Sequence, residues 1–399
     1  MSQSRNGHPV AAGWLSGAAY GGMFVFGIVM AVLGAILPVI SERLHFDLSL
    51  AGELFPAMNG AMLITTLALG PALDRYGMKP AFVAAPLFVA AALALMAATA
   101  GYGGLMLAVT LLGAGGGALN QATNTLVANL HEDEREKNAA LNLLGVFFGF
   151  GALFIPFTIG SLLQLFGLSA ILYVGLFLSL IPAGISAVHR FPEPRQKQGV
   201  PPRQVIAFAR QPLVIAFCCL LFFESGNEFV LGGYLSVFLS RNLGADVQTA
   251  SYLLAAYWGA LMLWRVVLSR AMLKISGERL ILVSALGVAG SVVLLVFASS
   301  LPVAGAAMVL LGISISAIFP TTLGLAGARY ASHAGTVFGL LIGIALLGGM
   351  TMPWIAGRLS ERAGVGAGLS IAAFSAIAIF FLQLVIGKLT KRPTPATES

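Results

Sequence analysis

The chain has 399 residues, 58% of them hydrophobic and only 9% charged, with a net charge of +7. A soluble domain carries about 25% charged residues, and a single core stops growing near about 250–300 residues, so a water-soluble globule is excluded. The 22 Lys and Arg sit in short segments between apolar runs, which argues against a nucleic-acid-binding face.

A membrane-crossing helix needs about 20 mostly apolar residues. Twelve runs qualify: 16–40, 49–72, 80–100, 104–128, 139–164, 168–188, 212–238, 249–271, 279–299, 302–327, 334–356 and 366–388. Their length and continuity predict helices rather than alternating barrel strands. The 48 glycines suit helices that pack closely in lipid. The first run is too long for a cleavable signal and lacks a small-residue cleavage site, so it reads as an anchor. Cys218 and Cys219 are neighbours in one run, cannot meet disulfide geometry, and read as packing residues.

With the N-terminus in the cytoplasm, 18 of the 22 basic residues fall on the cytoplasmic side. The positive-inside rule then places both termini inside a multi-pass protein of the cell (inner or plasma) membrane. The polar segment 189–211 holds five basic residues and four prolines and reads as a linker. It separates a first bundle, 1–188, from a second, 212–399, with six runs in each. The halves echo each other: Pro156, Gly160 and Gly167 recur as Pro353, Gly357 and Gly364 at one offset, 197. Gly-Met-Lys at 77–79 recurs as Gly-Glu-Arg at 277–279. The expected fold is all-α, twelve transmembrane helices in two pseudo-symmetric six-helix bundles with a site between them.

The loop between runs two and three reads Gly70-Pro-Ala-Leu-Asp74-Arg75-Tyr-Gly77-Met-Lys79-Pro80. It resembles the G-x-x-x-D-R-x-G-x-K/R signature of the major facilitator superfamily. The resemblance implies a latch on the outward-facing state. Gly70 would allow close helix approach, Asp74 would cap a neighbouring helix N-terminus, and Arg75 and Lys79 would hold the loop at the cytoplasmic surface beside Gly77. The bland alternative is an ordinary positive-inside loop.

Further motifs stand at Leu119-Asn120-Gln121-Ala-Thr-Asn124, at Leu141-Asn142 with Gly149-Phe-Gly151-Ala, at Phe223-Glu224-Ser-Gly226-Asn227-Glu228, and at Gly312 through Phe319-Pro320. Together they are similar to the fucose/glucose–proton symporter branch of that superfamily. The chain departs from that branch where Asn120 replaces a common membrane-embedded Glu, where Glu224 replaces an aromatic, and where run one lacks a carboxylate. These departures leave the coupling ion open between H⁺ and another cation such as Na⁺.

Polar groups inside a membrane are costly and usually functional. Glu224 and Glu228 stand one helical turn apart near the middle of run seven, with Asn227 beside them. Two carboxylates this close should not both ionise, a property suited to carrying a proton. A buried carboxyl bonded to a neighbouring helix is the structural alternative. Asn120, Gln121, Asn124 and Asn142 offer donors and acceptors together, which suits a polyhydroxylated solute, or amide glue between helices. Asn59 is a weaker member of that set, and Glu53 has no motif behind it. Tyr257, Trp258, Phe319 and Trp354 are candidates for stacking on a sugar face, Trp264 less so, and all could be packing residues. Arg265 could gate or simply pair with a carboxylate.

All five His fall in loops or tails. No Walker, H-E-x-x-H or G-x-S-x-G motif occurs, so neither an enzyme, a cofactor nor a metal is expected. The resulting expectation is a monomeric secondary transporter that moves a small polar solute, a sugar by the resemblance, with a proton or other cation by alternating access. The alternatives are a proton-coupled drug or metabolite exporter and a lipid or lysolipid transporter.

Overall fold

A computed structural model of the chain describes residues 9–130, 134–191, 202–271, 276–330 and 333–390. Helices make up all the regular structure among them. The membrane path consists of α1 (Pro9–Leu44), α2 (Leu48–Tyr76), α3 (Lys79–Ala98) and α4 (Tyr102–Leu130). Next come α5 and α6, the two arms (134–166 and 168–188) of the run Glu134–Val188, which bends at Gly167. The second half holds α7 (Pro212–Leu243), α8 (Val247–Ala271), α9 (Gly277–Val296) and α10 (Leu301–Arg329), followed by α11 (Ala334–Ala363) and α12 (Val365–Thr390).

Ten helical runs among the described residues are long and apolar enough to cross a membrane. Taking the Gly167 bend as a turn and adding α2 gives the twelve-pass path of the expected fold. Of the expected linker 189–211, residues 192–201 lie outside the described residues, while Pro202–Ala209 form a short amphipathic helix. Several helices outrun the apolar segments, α1 most of all, because helix geometry continues past the hydrocarbon until a cap or breaker stops it.

The ends follow local chemistry. Asp47 and Asp246 cap α2 and α8 by accepting from Leu50 N and Thr249 N, both at 2.8 Å. Pro212 and Pro302 stand in the first turns of α7 and α10, where a missing N–H costs nothing. Gly167 and Gly364 close equivalent helices with nearly the same backbone, φ 75° and 87°, a conformation that favours glycine. The Pro-Gly-Gly echo is therefore a repeated turn in three dimensions.

Both described chain ends lie at one end of the bundle, and the turns after α1, α3, α5, α7, α9 and α11 form the opposite, far end. Within the first half α1 packs on α5 and α4, and α2 on α4. Within the second, α7 packs on α11 and α12, and α9 on α12. The halves meet through α2 against α11, α5 against α8, and α1 against α7. Glycines set these crossings. A Cβ on Gly151 would strike Phe24 O of α1, and one on Gly52 would lie 3.3 Å from Gly357 Cα of α11. Leu48 N donates to Glu361 Oε2 at 3.1 Å across the far end, so the halves are joined there. The outward faces carry large apolar side chains such as Leu165, Phe177, Phe297 and Phe374, the surface a bilayer covers. The chain is a multi-pass membrane protein.

Gly151→Leu should lower thermal stability in detergent by about 1–3 kcal/mol through overpacking. Gly103→Leu, whose Cβ meets nothing within 4 Å, should change it little. The Thr249 hydrogen bonds hold the Asp246 carboxyl below the usual carboxylate range. Removing this cap with Asp246→Ala should cost about 1 kcal/mol near neutral pH. A lowered folded pKa means the contribution is full above about pH 4 and fades as pH falls through the folded value. The deficit of the variant should therefore shrink in acid, as a series of melting curves would show.

Candidate functional site

The middle of α7 is built from small residues, so its backbone lies close to its neighbours. A Cβ on Gly226 would overlap Met352 of α11, and one on Gly233 would overlap Phe55 of α2. That closeness buries Glu224 and Asn227, each 1% exposed. Glu224 Oε2 and both amide atoms of Asn227 have no hydrogen-bond partner among the described residues. A buried polar atom left unpaired costs about 1–3 kcal/mol, so such a cluster needs a functional reason or a ligand.

Glu228, one turn on, faces α8. Its Oε1 lies 3.9 Å from the Arg265 guanidinium, with the side chains 13% and 25% exposed. Arg265 also donates from Nε to Ser316 O at 3.3 Å, and its guanidinium stands 5.6 Å over the Phe148 ring. The Ser316 carbonyl is available for a simple reason. Pro320 lacks the N–H that would bond a carbonyl four residues earlier. The run expected as one continuous span at 302–327 is accordingly interrupted, with helices Leu301–Ile315 and Ile318–Arg329 on either side. Arg265 thus ties a carboxylate on α7, the break in α10 and an aromatic ring from the first half.

Tyr257 and Trp258 complete the cluster. Both are buried, their rings meet edge to face at 5.2 Å, and the Tyr257 hydroxyl and Trp258 Nε1 have no partner among the described residues. Tyr257 lies within electrostatic reach of Glu228, Glu224 and Arg265. The rings of Trp258 and Phe148 meet edge to face, centroids 6.2 Å apart. With 1% of its surface exposed, its ring forms a wall here rather than an open stacking face.

The expected amide cluster lies on α4. Asn124 is exposed and donates from Nδ2 to Asn120 O at 2.8 Å and to Asn120 Oδ1 at 3.0 Å. Asn120 and Gln121 are half-buried. Much of the hydrogen-bonding capacity of this pair is spent within its own helix. The Asn142 side chain lies outside the described residues. Among the described residues no hydrogen bond joins the α4 amides to the α7 acids.

The remaining candidates stand apart. Trp354 lies toward the far end of α11, with Arg358 over its ring at 4.0 Å, so one ring face is occupied. Phe319 is half-buried just past the α10 break. In the expected latch loop, Gly77 ends α2 with φ 77° and returns its N–H to Leu73 O at 3.0 Å. Arg75 is exposed over the Tyr76 ring, and Lys79 opens α3. Among the described residues a Cβ at Gly70 would meet nothing within 4 Å, so they show no close helix approach there, contrary to expectation. The Asp74 side chain lies outside the described residues. Sequence reasoning did not single out Phe148 or Ser316, and it ranked Asn59 low. Phe148 carries no chemical signal of its own, whereas Pro320 could have pointed to Ser316.

The family model for the Major Facilitator Superfamily matches residues 19–353. This chain belongs to that superfamily. Membership makes it a transport protein rather than an enzyme. A putative glucose/galactose transporter of Helicobacter pylori is 26% identical over 361 residues, covering 85% of this chain and 87% of that protein. Among solved structures, a D-xylose-proton symporter superposes with a TM-score of 0.76 at 15% identity, over 92% of this chain and 96% of the other. The fucose:proton symporter of E. coli gives 0.66 at 18% identity, over 93% and 98%. At these identities the superpositions establish the major facilitator fold.

Removing one partner of a buried pair leaves an uncompensated charge. Arg265→Met should therefore lower thermal stability by about 2 kcal/mol, less than a fully buried pair would lose. Adding Glu228→Gln should recover most of it. Melting curves of the two single variants and the double variant measure this coupling.

Proposed function

We propose that this protein carries a small polar solute, a sugar, across the cell membrane together with a proton, by alternating access between 1–188 and 212–399. The observation that carries the reading is the acidic cluster of α7. A buried Glu224 with an unpartnered oxygen lies one turn from Glu228, whose guanidinium partner touches the opposite half. A proton on Glu228 weakens its hold on Arg265, which then rests on a carbonyl of α10 and a ring of α5. Protonation and the relative position of the halves become linked, which is the requirement for coupling.

The solute assignment draws support from the names of the similar transporters and from the polar groups available. Asn227, the Tyr257 hydroxyl, the Trp258 indole and the α4 amides Asn120, Gln121 and Asn124 offer both donors and acceptors. The distribution of Lys and Arg supports an orientation with both termini in the cytoplasm. The far-end closure then corresponds to the inward-facing side of the cycle. The working unit is one chain in the bilayer, with Glu224 and Glu228 as coupling residues and the 70–79 loop with Arg265 as gating elements.

Uptake into proteoliposomes, screened across sugars with imposed H⁺ or Na⁺ gradients, tests the reading. The parent should concentrate a sugar when the outside is acidic. Glu228→Gln should abolish that accumulation while keeping sugar exchange at equal concentrations. Accumulation that persists in both Glu224→Gln and Glu228→Gln would remove the coupling assignment. Proton counterflow with apolar cations as cargo would replace import by export.

A further inference from the structure

Among the described residues two hydrogen bonds cross between the halves at buried positions, and both end on the same unusual kind of acceptor. Ser236 Oγ of α7 donates to Gly34 O of α1 at 2.6 Å. Asn59 Nδ2 of α2 donates to Gly349 O of α11 at 3.1 Å. In an ordinary helix those carbonyls would accept from the N–H groups of residues 38 and 353. Both positions are proline, Pro38 and Pro353, each inside its helix. Each acceptor has therefore been released from its own helix and taken by a side chain of the opposite half. Each acceptor is also glycine. A Cβ on Gly34 would strike the backbone of Gly232, and one on Gly349 would lie 2.7 Å from the Phe229 ring and 2.9 Å from Asn59 Oδ1. Glycine lets the donor helix approach, and proline four residues later leaves it something to bond.

We infer that Ser236 with Gly34 and Asn59 with Gly349 are the paired latches of far-end closure, switched by which partner satisfies a proline-released carbonyl. No N–H of the acceptor's own helix competes for the carbonyl while the halves are together. When they part, water enters the seam and takes the donor's place. The exchange is nearly balanced, since a protein hydrogen bond made in place of one to water gains only about 1 kcal/mol net. Two such bonds hold a state firmly enough to populate it and weakly enough for a ligand to reverse it. Asn59 adds a bias of its own. Its Nδ2 also donates to Phe55 O at 3.2 Å, while its buried Oδ1 has no partner among the described residues. The deeper latch is thus half-satisfied when shut.

The inference rests on alternating access and is independent of the solute and the coupling ion. Its test reads distance rather than transport, so failure of the sugar–proton reading leaves it standing. Spin labels at Ala100→Cys and Ala363→Cys, exposed far-end sites on opposite halves, are placed in the full chain with Cys218 and Cys219 replaced by alanine. Pulsed dipolar spectroscopy in proteoliposomes gives the ratio of long to short distances. Ser236→Ala should raise that ratio about fivefold, the equivalent of one net hydrogen bond, and Asn59→Leu should act likewise. Ser236→Thr, which keeps the hydroxyl, should stay near the parent. Pro38→Ala restores a competing N–H to Gly34 O. In that background Ser236→Ala should add less than about twofold, and Pro353→Ala should blunt Asn59→Leu in the same way. Donor removals that leave the ratio unchanged would overturn the inference. So would a Ser236→Ala effect equally large with and without Pro38. If the proline variants fail to fold, the comparison of Ser236→Ala with Ser236→Thr decides alone, because equal shifts would rule out the hydroxyl.

Discussion

Hydrocarbon offers no partner to a backbone N–H or C=O, so every such group in the membrane must be satisfied by protein or by water in a cavity the protein lines. This one constraint organises the molecule. It forces the chain into long helices and turns each interior proline into a local debt. Three of those debts are settled by side chains of other helices: Gly34 O by Ser236, Gly349 O by Asn59, and Ser316 O by Arg265. Two of the three cross between the halves, and the third belongs to the acidic centre. The seam and the site are therefore built by the same backbone chemistry.

The acidic centre is unevenly shared. Glu224, Asn227, Glu228, Tyr257, Trp258 and Arg265 all come from α7 and α8. The first half reaches them through a ring, Phe148 of α5, and holds its own amides on α4. An aromatic face attracts a guanidinium without demanding a fixed hydrogen-bond geometry. It can follow Arg265 as the halves shift, whereas a second carboxylate would pin it. The neutral ring adds no charge of its own, so a change in the charge of Glu228 or Glu224 is what would alter the balance around Arg265. Low local dielectric makes that change count for more than it would in water.

The architecture was legible because its signals are long. Runs of twenty apolar residues, a polar interruption near the chain centre and an echo of Pro156, Gly160 and Gly167 at Pro353, Gly357 and Gly364 are visible in composition and spacing. Glu224, Asn227 and Glu228 were legible because carboxylates and amides are rare at such depth. The partners were harder. Arg265 could be paired with an acid by type, but its contact with Phe148 depends on how α5 crosses α8, which the pattern of neither helix states. The α4 amides looked like a binding face, yet Asn124 bonds Asn120 one turn back, an option that Asn always has in a helix. Gly70 looked like a packing glycine from its motif, and among the described residues nothing lies within 4 Å of a Cβ placed there. The α10 break and the Asn59 contact carried one overlooked cue each: a proline four residues after the carbonyl in question.

Gly34 and Gly232, Pro38 and Ser236, and Arg43 and Arg241 stand at a single offset, 198, in the two halves. At the closest crossing of α1 and α7, the chain therefore touches its own pseudo-copy. One copy carries the proline that exposes a carbonyl, and the other carries the serine that claims it. In two identical halves these positions would carry the same residue, so a proline could not face a serine across the crossing. Two prolines would expose two carbonyls and bring no donor, and two serines would have to share carbonyls that already accept from their own helices. In this single chain the two equivalent positions differ and take complementary roles, one exposing the acceptor and the other supplying the donor.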